Sequence, residues 1–307
     1  MKFIQSKKSL LLAVMSTVLL SACDSDDAVY TSNSVTKDVN LQFAAKVNGA
    51  DFNCGDTYTG VGSGSHDFKL NDFRLFVHDA HIHDDASGKT YHVELEQDGV
   101  WQQDELVLLD FENDCTSSSG TTEINTSLRG EVTLPADIDT TNTEVCFTVG
   151  VPQSMNHLDP TTVASPLNDT TMQWNWLAGY KYVRLDGFGD PAAANTGFNI
   201  HLGAQGCANG GVGPGAAPTT ACTVPNTVEV CLDGFNVDTN SVAIDAGSVL
   251  AGSDVSVNTA STAAGCMSFI GDEDCVEVMP RLGLDYSYGG AAGTSTHTAG
   301  QAMFSRI

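Results

Sequence analysis

Positive charge is what this chain has least of. Thirteen Lys and Arg stand against 38 Asp and Glu, for a formal net charge of −25 at pH 7. Such a surface repels phosphate backbones and anionic lipid headgroups, which excludes nucleic acid as a partner and favours metal cations or a basic protein. The same charge also serves solubility. Catalytic signatures are missing too. The chain has no P-loop, no dinucleotide fingerprint, no nucleophile elbow and no C-x-x-C-H haem attachment. Its acidic runs do not follow the order of a calcium loop. No C-x-x-C pair occurs, which argues against a cysteine-based metal site. Helical periodicity is scarce, the one candidate lying around Ser241–Leu250.

The one long apolar run is at the N-terminus. Lys2, Lys7 and Lys8 precede an apolar stretch from Leu10 to Leu20, too short and wrongly flanked for a spanning helix. It ends Leu20-Ser21-Ala22-Cys23, which reads as a lipobox. Residues 1–22 are thus expected to be a lipoprotein signal peptide, cleaved before a lipidated Cys23. The expected location is the bacterial periplasm, anchored to the inner or the outer membrane. Loss of the leader removes three lysines and no acid, so the charge falls from −25 to −28. Residues 23–38 are acidic and polar and read as a disordered tether. No low-complexity linker divides the rest, so 39–307 is expected to be one domain.

Nine cysteines less Cys23 leave an even number in an oxidising compartment, where disulfides are the default. Cys207 and Cys222 flank a Gly/Pro-rich loop that has no core of its own. Cys266 and Cys275 close a short acidic loop, and Cys146 and Cys231 sit in two strand-like runs. Cys54 and Cys115 then remain. The last two pairings rest on elimination, since eight cysteines permit about a hundred connectivities.

Alternation of apolar and polar residues runs through most of the chain, for instance LQFAAKV, FRLFVHDAHIH, TEVCFTVGV, KYVRLDGF and VEVCLDGF. Gly, Asn, Asp and Ser separate these runs, and Asn48-Gly49 is a hairpin signal. The expected fold is all-β, a disulfide-stapled β-sandwich or barrel-like domain with long loops.

Imidazoles suit soft and borderline metals. His157 lies in a turn after a strong strand, and His201 alternates away from Ile200 and Leu202. Trp174 and Trp176 share a face if their run is extended, and packing alone accounts for large indoles there. If the strand runs straight, His81 and His83 share the parity of Phe73, Leu75 and Val77, whereas His78 lies on the other face with Arg74. That pair reads more readily as a polar strand end than as a chelate. His66, His92 and His297 have no evident partner in sequence.

Several blocks together resemble a known family. They are VNGADFNCGDTY, DFRLFVHDA, LVLLDFENDC, VGVPQSMNHLD, Met172-x-Trp174-x-Trp176 running into Gly179-Tyr180-Lys181, His201-Leu202-Gly203 leading to Cys207, and GCMSF. In this order they resemble MbnP, the copper-binding proteins of the periplasm encoded beside methanobactin genes. The family's four-cysteine signature corresponds to Cys54, Cys115, Cys207 and Cys222.

The resemblance implies a bound copper ion. It implies a di-haem cytochrome c peroxidase-like partner that oxidises a tryptophan to kynurenine. It places His157, His201, Trp174 and Trp176 at the metal, with His78 in the matching VHD block, and Asp159 is a possible orienter of His157. The chain would then be a substrate of that oxidation, not an enzyme, and would capture, store or deliver copper. The rival readings are a lipid-anchored hydrolase or copper oxidase, and a structural surface domain. Turnover of an added substrate would favour the enzyme.

Overall fold

The structure, a computed structural model, describes residues 33–113, 115, 123–189, 197–286 and 300–307. The leader, Cys23, most of the tether and His297 lie outside the described residues. Two open sheets pack face to face, so the fold is a sandwich and not a closed barrel. The smaller runs in the order Phe304–Arg306, Val242–Asp245, Ser34–Val47, Ser127–Pro135 and Glu94–Leu95. In Ser34–Val47, every second residue from Val39 to Val47 is buried, the period of a strand with one face on a core. Asn48 and Gly49 turn it back with φ of 52° and 80°, the left-handed pair that a tight hairpin needs.

The strand starts at Ser34, so the tether is shorter than its composition suggests. Ser34 to Asp38 pair in register with Pro135 to Glu131. Their side chains are mostly exposed, hence the polar sequence, and backbone hydrogen bonding holds the segment in the sheet. The expected helix is also shorter. Val242–Asp245 is strand, and only Ala246–Leu250 is helix, capped by the Asp245 side chain. A second helix, Cys275–Arg281, has too little length to show a period.

The larger sheet is built on one 19-residue strand, His66–Asp84. One edge carries Val183–Gly189 along residues 68–75 and then Thr143–Val149 along residues 77–83. The other edge carries Leu106–Asp110 and then Lys89–His92. Val228–Phe235 extends the sheet beside Thr143–Val149, and Asn199–Leu202 extends it beside Val183–Gly189. Phe43 of the small sheet meets Phe147 of the large one edge to face, and Phe147 meets Phe304 likewise, each pair with centroids 5.5 Å apart. Burying each such ring contributes about 1.5–3 kcal/mol. Disulfides join Cys54 to Cys115, Cys146 to Cys231, Cys207 to Cys222 and Cys266 to Cys275.

The long strand also carries a buried ionic knot. Arg74 is fully buried. Its guanidinium grips Asp72 with two bonds, of 2.8 and 2.5 Å, and reaches Asp169 at 2.8 Å and Thr171 Oγ1 at 2.9 Å. Arg184 Nε stands 3.1 Å from the same Asp72 carboxylate. Asp169 caps the short turn Thr170–Met172, and both Arg184 and Lys181 donate to the Thr171 carbonyl. The knot therefore ties the sheet to the turn that leads into Trp174.

Asp110 faces Arg74 across the ladder. Burial pushes its carboxyl up to about 7, with the Glu112 amide and Arg74 working against that rise. An unfolded aspartate titrates near ~3.9. Between those values the folded chain holds a proton that the unfolded chain releases, so this group's contribution falls as pH rises from about 4 to 7 and is level above. Urea unfolding of wild type and Asp110→Asn across that range should show a stability difference that moves in favour of the variant up to pH 7. A pH-independent difference would refute the assignment.

Candidate metal centre

His201 sits on Asn199–Leu202, directly opposite Arg184 in the ladder. Its Nε2 is 2.5 Å from Asp186 Oδ1, and the other Asp186 oxygen takes two bonds from Arg184. Burial alone would raise the Asp186 carboxyl; the bonds and charges of His201 and Arg184 hold it down at about 2. Burial lowers the His201 imidazole, and Asp186 only partly offsets this, so the ring is neutral at pH 7. A carboxylate accepts and cannot donate, so the ring proton sits on Nε2 and Nδ1 keeps its lone pair. Carboxylate–imidazole pairs of this kind orient metal-binding histidines and raise their basicity.

Trp174 stands beside this ring, centroids 6.4 Å apart, and its indole stacks on the half-exposed Phe269 at 6.1 Å. It also lies on Gly203. A Cβ there would come within 2.5 Å of Trp174 Cζ3 and 2.7 Å of the Tyr180 carbonyl. Only glycine admits the indole at this point.

His157 is held differently. The buried Asn156 accepts the Tyr180 amide, and its Nδ2 lies 3.1 Å from His157 Nε2. His157 Nδ1 donates to the Trp176 carbonyl, and Trp176 Nε1 donates to the His157 carbonyl, so each residue fixes the other. Cys222 Sγ is 3.3 Å from His157 Nε2. That sulfur is in the Cys207–Cys222 bridge, so this close group of His157 and two sulfurs holds no thiolate. Burial lowers the His157 imidazole, which keeps it neutral.

The two tryptophans part company. Gln173–Asn175 is strand, but Trp176 begins the turn to Gly179–Tyr180. The run is not extended through Trp176, so Trp174 goes to His201 and Trp176 to His157. Among the described residues, no group of three close ligating atoms contains both histidines. The strand Gly179–Tyr180 lies between them, with its Tyr180 amide on Asn156 and its Tyr180 carbonyl against Gly203. Asp159 does not orient His157, because it accepts from the Thr161 amide and hydroxyl instead. At this centre the carboxylate that orients an imidazole is Asp186, and it serves His201. Its only signal in the sequence is Arg184-x-Asp186 on one strand face.

His78 is half-buried between Leu106 and Thr148 in the ladder, and its two buried ring nitrogens have no hydrogen-bond partner. Burial lowers it to about 4. No hydrogen bond or ring contact joins it to the other four residues among those described. For copper, His201 fits best: it is neutral, its tautomer is set, and its Nδ1 is unshared. His157 fits if the Asn156 amide turns away from Nε2.

The family model described as MbnP matches residues 36–268. The solved structure of MbnP from Methylosinus trichosporium aligns with a TM-score of 0.74 at 28% identity, covering 89% of this chain and 98% of that one. No curated protein matches the sequence.

Proposed function

Starting from the fact that the chain belongs to the methanobactin-associated MbnP family, we propose that it is a copper-binding protein, lipid-anchored in the periplasm through Cys23, that captures, stores or delivers copper and is not itself a catalyst. The Asp186–His201 pair beside Trp174 carries this reading. It supplies a neutral, oriented imidazole next to an oxidisable indole, inside the span that the family model matches. His157 supplies the second imidazole, and His78 a third that burial keeps neutral.

A di-haem cytochrome c peroxidase-like partner would oxidise one indole to kynurenine. Opening the ring takes up dioxygen to give a formylated aryl amine, and hydrolysis by one water then releases the extra carbon as formate, which leaves an aryl amine and a ketone as new donors. Trp174 is the better substrate of the two. It stacks on an exposed phenylalanine at the surface, whereas Trp176 has its N–H committed to the His157 carbonyl.

Peptide mass spectrometry of protein co-expressed with such a partner tests this. The Trp174–Trp176 peptide should gain one oxygen and lose one carbon net, with Trp101 unchanged. In Trp174→Phe the change should vanish. An unaltered peptide, or modification of Trp101 alone, would refute the proposal.

A further inference from the structure

We propose that Asp79, His81 and His92 form a second metal site, away from the two tryptophans, that takes a borderline divalent cation such as Zn(II). One ligating atom from each of the three lies within 4.8 Å of the others. His92 Nδ1 is 3.0 Å from Asp79 Oδ1, and the His81 and His92 rings have centroids 5.4 Å apart. The edges of a tetrahedral N/O site are about 3.3 Å, given bonds of about 2.0–2.1 Å, so small side-chain rotations close the group on a cation. Two imidazoles and one carboxylate select transition metals over calcium or magnesium.

A backbone irregularity assembles this group. His81 pairs with Cys146 and His78 with Thr148, so three steps along the long strand match two on its neighbour. The bulge falls at Asp79, a non-glycine residue with φ of 52° in mid-strand. A straight strand would give His81 the parity of Val77. The bulge reverses this, sending Ala80 and Ile82 into the core and His81 to the outer face, opposite His92 in the ladder. It also turns Asp79 to the same group.

The tautomer of His81 suits a ligand. Its Nδ1 is 3.0 Å from the Asp79 carbonyl, which accepts the N–H and leaves the Nε2 lone pair available. His81 is nearly buried, but the side chains of His92 and Asp79 are 51% and 40% exposed, so a cation has access from their side. The proton between His92 Nδ1 and Asp79 Oδ1 is the one the cation displaces. In the next row, His83 with Asp85 and Glu144 adds acidic charge nearby.

The test is a calorimetric titration of the full chain with Zn(II), independent of copper and of tryptophan oxidation. Wild type should bind a Zn(II) ion that His92→Ala, His81→Ala and Asp79→Asn each weaken by about tenfold or more, the range for disturbing a metal's supporting groups or beyond. His201→Ala should leave that ion in place. His92→Gln guards against misfolding, since it is an exposed change, and it too should lose the ion while circular dichroism stays unchanged. Absence of Zn(II) binding in wild type, or equal affinity in the His92 and His81 variants, would overturn the proposal. Loss in His201→Ala alone would move the zinc to the tryptophan site and overturn it equally.

Discussion

His201→Ala should abolish tight copper binding, with a loss larger than the roughly 10–100-fold that follows removal of a supporting partner. The His201 ring is the one imidazole of the candidate centre that a carboxylate orients and that keeps an unshared nitrogen. Asp186→Asn keeps an oxygen near Nε2 but removes the negative charge behind the ring, so it should fall within that 10–100-fold range. His157→Ala should weaken binding as well, because the site loses one of its few imidazoles. Competition against a coloured copper(I) chelator gives all three values. Alanine keeps the His201 carbonyl that accepts from Ser268, and Asp186 keeps its two bonds from Arg184, so unfolding midpoints should stay close to wild type. If His201→Ala competes as well as wild type, copper is held elsewhere, and the Asp79–His81–His92 group becomes the place to look.

Arg74→Met should cost about 3–5 kcal/mol of stability, the penalty for breaking a buried ion pair from one side. The guanidinium binds Asp72 twice and Asp169 once, and it is the nearest cation to the fully buried Glu112, at 3.7 Å. Methionine fills the space but leaves those carboxylates in a medium that solvates them poorly. Asp72 keeps Arg184; among the described residues, Glu112 keeps no cation within that reach. Adding Glu112→Gln to Arg74→Met should therefore recover part of the loss, a coupling that denaturant unfolding reads as non-additivity. The same knot holds the Thr170–Met172 turn, so the single variant should also shift the near-ultraviolet signal of Trp174. A loss below about 1 kcal/mol would mean that water enters the knot and that it does not anchor the tryptophan hairpin.

Alternation and turn chemistry were enough to read the class of the fold. Leu41, Phe43, Ala45 and Val47 point to a core because a strand has a period of two, and Asn48-Gly49 turns because both residues tolerate positive φ. The cysteine count and the family blocks likewise needed only the order of residues. What the chain could not declare are events where one backbone step departs from the period. The bulge at Asp79 exchanges the two faces of the strand beyond it, which takes His81 off the parity of Val77 and sets it against His92, a residue that had no partner in sequence. The turn at Trp176 sends two neighbouring indoles to two different histidines.

Asp186 lies 15 residues from His201, and only the pairing of Val183–Gly189 with Asn199–Leu202 brings them together. Asp159, two residues from His157, is taken by its own local turn. Local sequence determined which segments are strands and which residue types are on offer. Ladder register, shifted by one residue at a bulge or fixed by a loop's length, decided which of those residues meet, because side chains far apart in the chain become neighbours only through the hydrogen bonds between strands.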